Sequence, residues 1–184
     1  VENLYNDFPI SGTAAKKETT LTIPAATSGS TCELFPLHGV YLGKTTVKEL
    51  KKLGKKSDDK QFNYYTINGS EFWYHEADVA YHMYLTHSNP LPEEWTNCGF
   101  DWQLSYNEWL NLLKSRGYTV EITKQPVKGT YSGKPSFSAE ITGTIVSAYG
   151  VQMKVKLDFN YSEGTAVNDK NTLYSITIYA DLPK

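Results

Sequence analysis

The residues best suited to chemistry in this 184-residue sequence are four histidines and two cysteines. His75, Glu76, His82 and His87 fall within a short span and offer the nitrogen and carboxylate ligands that zinc or copper accept. On strands, however, neighbours such as 75 and 76 face opposite ways, so hydrogen-bonded or solvated histidines are the plainer reading and no metal site is assigned. Cys32 and Cys98 form no CxxC pair and fit none of the familiar zinc spacings. Either could meet His38, His75, His82 or His87 as a nucleophile meets its base, yet sequence spacing does not test that pairing. A Gly-x-Ser-x-Gly elbow, a phosphate-binding loop and a dinucleotide fingerprint are all missing. The acid pairs Asp58-Asp59 and Glu93-Glu94 lie in polar loops and read as solvated turn residues rather than as the paired acids of a glycosidase. No catalytic residue and no cofactor is therefore assigned.

Aromatic content is the stronger signal. The chain has fourteen Tyr, seven Phe and four Trp, and Tyr64, Tyr65, Phe72, Trp73, Tyr74, Tyr81, Tyr84, Trp95 and Trp102 crowd its middle. That is more than one small sheet face hides comfortably. Exposed Trp and Tyr bring large apolar area at low entropy cost and anchor protein partners or sugar rings. Tyr65, Trp73, Tyr81, Trp95 and Trp102 are the candidate ligand-binding residues; the competing reading is that strand alternation sends half of the aromatics into the core. A net charge of −2 gives no electrostatic reason to expect nucleic acid or an anionic membrane as partner.

These side chains must be positioned by elements that the pattern predicts. Residues 1–30 read as an extended leader with a possible edge strand at Thr20 to Ile23. Thr46 with Glu49 fits a capping box, Val47, Leu50 and Leu53 share one helical face, and Gly54 suits a C-terminal stop. Strands are expected at Phe62 to Ile67 and Glu71 to His75, joined by the hairpin signal Asn68-Gly69, and at about Val79 to Thr86. Pro90 and Pro92 mark Ser88 to Gly99 as a linker or long loop. A second capping box, Ser105 with Glu108, opens a helix carrying Trp109, Leu112 and Leu113 and ending at Gly117. Strands follow at Tyr118 to Thr123, Phe137 to Val146, Val151 to Phe159 and Leu173 to Ala180. In the third, Val151, Met153, Val155, Leu157 and Phe159 face one way and Gln152, Lys154, Lys156 and Asp158 the other. The sum is an α+β fold: two short helices on an antiparallel β-meander sheet, written as a weak tandem repeat over 31–97 and 98–184, the two units packed as one domain.

The run Leu42-Gly43-Lys44-Thr45-Thr46-Val47, closed by Leu53-Gly54, resembles the helix opening of the β-lactamase inhibitor protein family and of related exported lipoproteins of gut-dwelling Gram-negative bacteria. There a Gly-x-Thr turn starts a short helix that ends in Leu-Gly before a meander. The match covers residues 42–54, with a looser echo at 104–117, where Leu104-Ser105-Tyr106 stands in place of the turn glycine and Arg116-Gly117 in place of Leu-Gly. The resemblance implies an exported, periplasmic or cell-surface module, with a lipid anchor as one form of attachment, that binds a protein or glycan at the cell envelope. No apolar run reaches the roughly 20 residues that span a bilayer, and a first residue Val1 reads as the end of a trimmed or processed chain. Two buried free thiols is the plainer reading of Cys32 and Cys98; the alternative, in an oxidising compartment, is one bridge worth about 4 kcal/mol in the chain-entropy account. The expectation is a non-catalytic binding module, inhibitor-like, with a glycan-binding accessory domain and a hydrolase with an unrecognised site as competitors.

Overall fold

The computed structural model describes residues 32–74, 78–131, 133–160 and 166–182. The expected edge strand at Thr20 to Ile23 lies outside them. The described residues form three helices, α1 (Val47–Leu53), α2 (Glu93–Asn97) and α3 (Tyr106–Ser115), and eight strands. The strands are β1 (Lys55–Lys56), β2 (Tyr64–Ile67), β3 (Ser70–Tyr74), β4 (Ala80–Thr86), β5 (Thr119–Tyr131), β6 (Lys134–Val146), β7 (Gln152–Phe159) and β8 (Ser175–Ala180). All eight belong to one antiparallel sheet of order β1-β2-β3-β4-β8-β7-β6-β5, so the fold is α+β. None of the described helices is long and apolar enough to cross a membrane.

Local sequence explains most elements. Thr46 and Ser105 cap α1 and α3, and each closes a full capping box with Glu49 and Glu108, which answers free amides at both helix starts. Asn68 and Gly69 both take positive φ, 47° and 80°, and join β2 to β3 with Ile67 paired to Ser70, as a two-residue hairpin requires. Gly54 lets α1 stop directly against the sheet: a Cβ there would lie 2.4 Å from the Thr66 carbonyl oxygen.

Strand ends shift by up to three residues from the expected bounds, the two-residue β1 is an addition to the expected elements, and two longer segments depart further. Ser88 to Gly99, expected as a linker, contains α2. Pro92 sits at its N-cap, where its missing N–H costs nothing, and Trp95 gives it a fully buried anchor. The strand expected at Tyr118 to Thr123 runs on to Tyr131 despite Pro126 and Gly129. It tolerates them because β5 is the edge strand and shifts register on β6 between Ile122 and Lys124 and between Lys124 and Val127.

The core lies between the helices and one sheet face. Across the strands Tyr65, Phe72, Met83, Ile178, Val155 and Gly143 stand opposite one another, all buried, and they join Leu50 of α1 and Trp109, Leu112 and Leu113 of α3 in one cluster with the other buried apolar residues. Phe35, Trp95, Phe100 and Trp109 continue it as a chain of edge-to-face rings 4.9 to 6.3 Å apart. Cys32 and Cys98 form a disulfide at the end of α2, beside the hydrogen bond that the Trp95 indole donates to the Leu34 carbonyl at 3.1 Å.

Candidate functional site

Shifting each strand by one residue turns to the other face of the sheet. There Tyr64 pairs with Trp73, Trp73 with His82, His82 with Tyr179 and Tyr179 with Lys154. The first four side chains are half-buried, and none belongs to the core cluster or packs against it. Their rings meet across the strands: Tyr64 to Trp73 at 4.8 Å with planes tilted by 38°, then stacked, Trp73 to His82 at 5.5 Å with planes 13° apart and His82 to Tyr179 at 4.9 Å with planes 28° apart. These spacings are close to the roughly 4.8 Å separation of neighbouring strands, so the rings stand upright like cards in a rack. Phe62, 43% exposed, closes the row by packing edge-on to Trp73 at 5.6 Å. Ring faces are turned largely toward one another; the four strand rings stay half-buried, and Phe62 is the most exposed of the five.

The next row on this face runs Thr66, Glu71, Tyr84, Thr177, Lys156 and Thr142, and the one beyond it Thr86, Ser175, Asp158, Glu140 and Lys124. Glu71 accepts a 3.3 Å hydrogen bond from the Trp73 indole, and its half-burial pushes the carboxyl pKa up against that bond. Lys156 is paired to Glu140 at 2.7 Å, and Thr123 donates to the other oxygen of Glu140. Desolvation raises the Asp158 pKa, while Lys156 and Lys124 nearby pull it back. In the aromatic row, burial alone holds the His82 pKa down to about 4, so the imidazole is neutral at pH 7. Its Nε2 is buried without a hydrogen-bond partner, so no hydroxyl rests against it.

The five candidate binding residues are not gathered in one place. Trp73 is the centre of the ring row, and Tyr81 packs edge-on to His82 at 5.5 Å. Tyr65, 6% exposed, faces the core, and Trp95 is wholly inside it, so neither presents a surface to a ligand. Trp102 is half-buried in the α2–α3 connection, donates to the Asn89 carbonyl at 2.9 Å, and lines a shallow cavity of about 390 Å³ with Leu91, Thr96, Gly99, Phe100 and Asp101. Sequence reasoning missed Phe62, Tyr64, His82 and Tyr179 as a set. The Asn68-Gly69 turn alone puts Tyr64, not Tyr65, opposite Trp73, so half of the row was within reach; His82 and Tyr179 needed the pairing of β4 with β8.

His75 and Glu76 lie outside the described residues. Among the described residues no group of three or more His, Cys, Asp or Glu side chains is arranged to hold a metal ion. Both cysteine sulfurs are committed to the disulfide, which leaves neither as a nucleophile. Asp58 is 86% exposed and pairs with Lys55 at 2.9 Å, while Glu93 and Glu94 lie in the first turn of α2, where carboxylates favour the helix dipole. Comparison of the chain with protein-family models, with curated proteins and with solved structures found no match.

Proposed function

We propose that this chain is a non-catalytic, exported binding module that docks a protein partner on the sheet face turned away from the helices, in the manner of an inhibitor. The observation that carries the reading is the upright ring row Phe62, Tyr64, Trp73, His82 and Tyr179 on the face turned away from the helices. A sugar platform needs coplanar faces turned outward; rings stacked on each other present a ridge, which suits the pockets of a protein surface. The Cys32–Cys98 disulfide supports an oxidising compartment, periplasmic or cell-surface, with lipid anchoring as one route of attachment.

The β-lactamase inhibitor protein family remains the family we propose. Its support is the Gly43-Lys44-Thr45 turn, in which the Tyr41 amide donates to the Thr45 hydroxyl at 2.8 Å, and the order of elements. A capped helix precedes four strands twice, and the fourth strand of each set, β4 and β8, pair at the centre of the sheet. A tandem repeat accounts for that order. The test is a pull-down from a cell envelope with the full chain and a Trp73→Ala, Tyr179→Ala variant as baits, both checked for cooperative melting. A protein held by the first and lost by the second is the expected outcome. Retention by both, or oligosaccharide binding that shifts the Trp73 fluorescence, overturns the reading.

A further inference from the structure

The two halves of the sheet face turned away from the helices treat charge differently, and the difference bears on the partner. Across β2, β3, β4 and β8 the outward side chains of the paired rows are aromatic or hydroxylic except for Glu71, since His82 is neutral. Glu71 stands between Thr66 and Tyr84 and beside Trp73, half out of water. Among the described residues its one hydrogen-bond donor is the Trp73 indole, and no lysine or arginine pairs with it. Glu140, on the other half of the face, has Lys156 at 2.7 Å, and Asp158 has Lys156 and Lys124 close by.

A protein surface laid on the ring row must cover Glu71 as well. Covering a carboxylate with apolar atoms strips its remaining water and costs several kcal/mol unless a donor replaces it. Neither a protein carbonyl nor an acid can do so, and an aliphatic side chain makes the loss complete. An ammonium or guanidinium group answers both the charge and the empty lone pairs. We propose that Glu71 is the receptor for an arginine or lysine side chain carried by the protein that docks on the ring row. The inference rests on the protein-docking reading above. It makes Glu71 a selectivity gate: apolar knobs without a cation are rejected by the cost of burying Glu71, so the rings supply area and the carboxylate supplies discrimination.

The probe is a library of disulfide-constrained peptides displayed on phage, selected at pH 7 on the immobilised full chain. Each clone is then measured on Trp73→Ala and Glu71→Gln variants that melt cooperatively. Glu71→Gln keeps the shape and an amide oxygen able to accept from the Trp73 indole, but replaces the charged two-oxygen acceptor by a neutral amide. The expected result is that clones needing Trp73 are enriched in Arg or Lys and lose at least about ten-fold in affinity on Glu71→Gln. Clones that need Trp73, carry no basic residue and bind Glu71→Gln as well as the wild type overturn the inference and leave the docking face standing. If no clone depends on Trp73, the face itself is not a docking site and both readings fall.

Discussion

One sheet face is built by two solutions. Over β2, β3, β4 and β8 it is covered by rings that contact each other, and over β7, β6 and β5 by lysines and acids that neutralise each other. The charged half is self-sufficient. Lys156 finds Glu140, Thr123 bonds Glu140, and Lys124 donates to Ser138, so little is gained by covering it. The aromatic half is not: Phe62 is 43% exposed, the His82 Nε2 has no partner and Glu71 has no cation among the described residues. Surface ion pairs contribute little because water already solvates them well, whereas exposed rings and a half-dry carboxylate stand to gain from a partner. The lesson is that a binding face is recognised by what its own neighbours leave unsatisfied, not by how polar or apolar it is.

If the halves differ in this way, substitutions should separate them. Trp73→Ala removes contacts to Phe62, Tyr64 and His82 at once and is expected to cost about 2–3 kcal/mol in urea unfolding; a cost below about 0.5 kcal/mol would mean the row is not cohesive. Acid should act on the same half through His82. Its folded pKa of about 4 lies below the ordinary 6.5, so between those values the unfolded chain binds a proton that the folded chain does not. Stability from this group is whole above pH 6.5 and is lost as pH falls toward 4. Thermal melts at pH 7 and pH 4.5 should show a smaller acid-induced drop in Tm for His82→Phe than for the wild type, and equal drops would remove His82 from the account. The smallest effect belongs to the charged half: Lys156→Ala should cost no more than about 1 kcal/mol, and its difference from the wild type should shrink further in 0.5 M salt, about three times physiological ionic strength. A larger, salt-independent loss would show that half to be a structural network.

Local signals carried much of the fold. The two capping boxes, the Asn68-Gly69 hairpin, the alternation of β7 and the helical stripe of Leu112 and Leu113 are interactions within a few residues, and a sequence displays them directly. The exposed Leu53 and the hidden α2 mark where that legibility ends: 43% exposure of Leu53 depends on what lies above α1, and α2 forms because Trp95 has a core to enter. The candidate site was legible only in part. Trp73 was visible as an exposed-strand aromatic, while Tyr65 fell on the wrong side of the sheet because a one-residue change of phase exchanges the two faces.

What the sequence determined by itself was composition, helix starts, turns and strand alternation, since each is fixed by groups adjacent along the chain. What only the tertiary structure decided was which strands meet. β8 lies between β4 and β7, and that pairing sets Tyr179 against His82, extends Tyr64 and Trp73 into a row of rings, and leaves Glu71 among aromatics with no cation beside it among the described residues. Long-range pairing is paid for by the burial of a whole core face, a sum over distant residues that no local pattern contains.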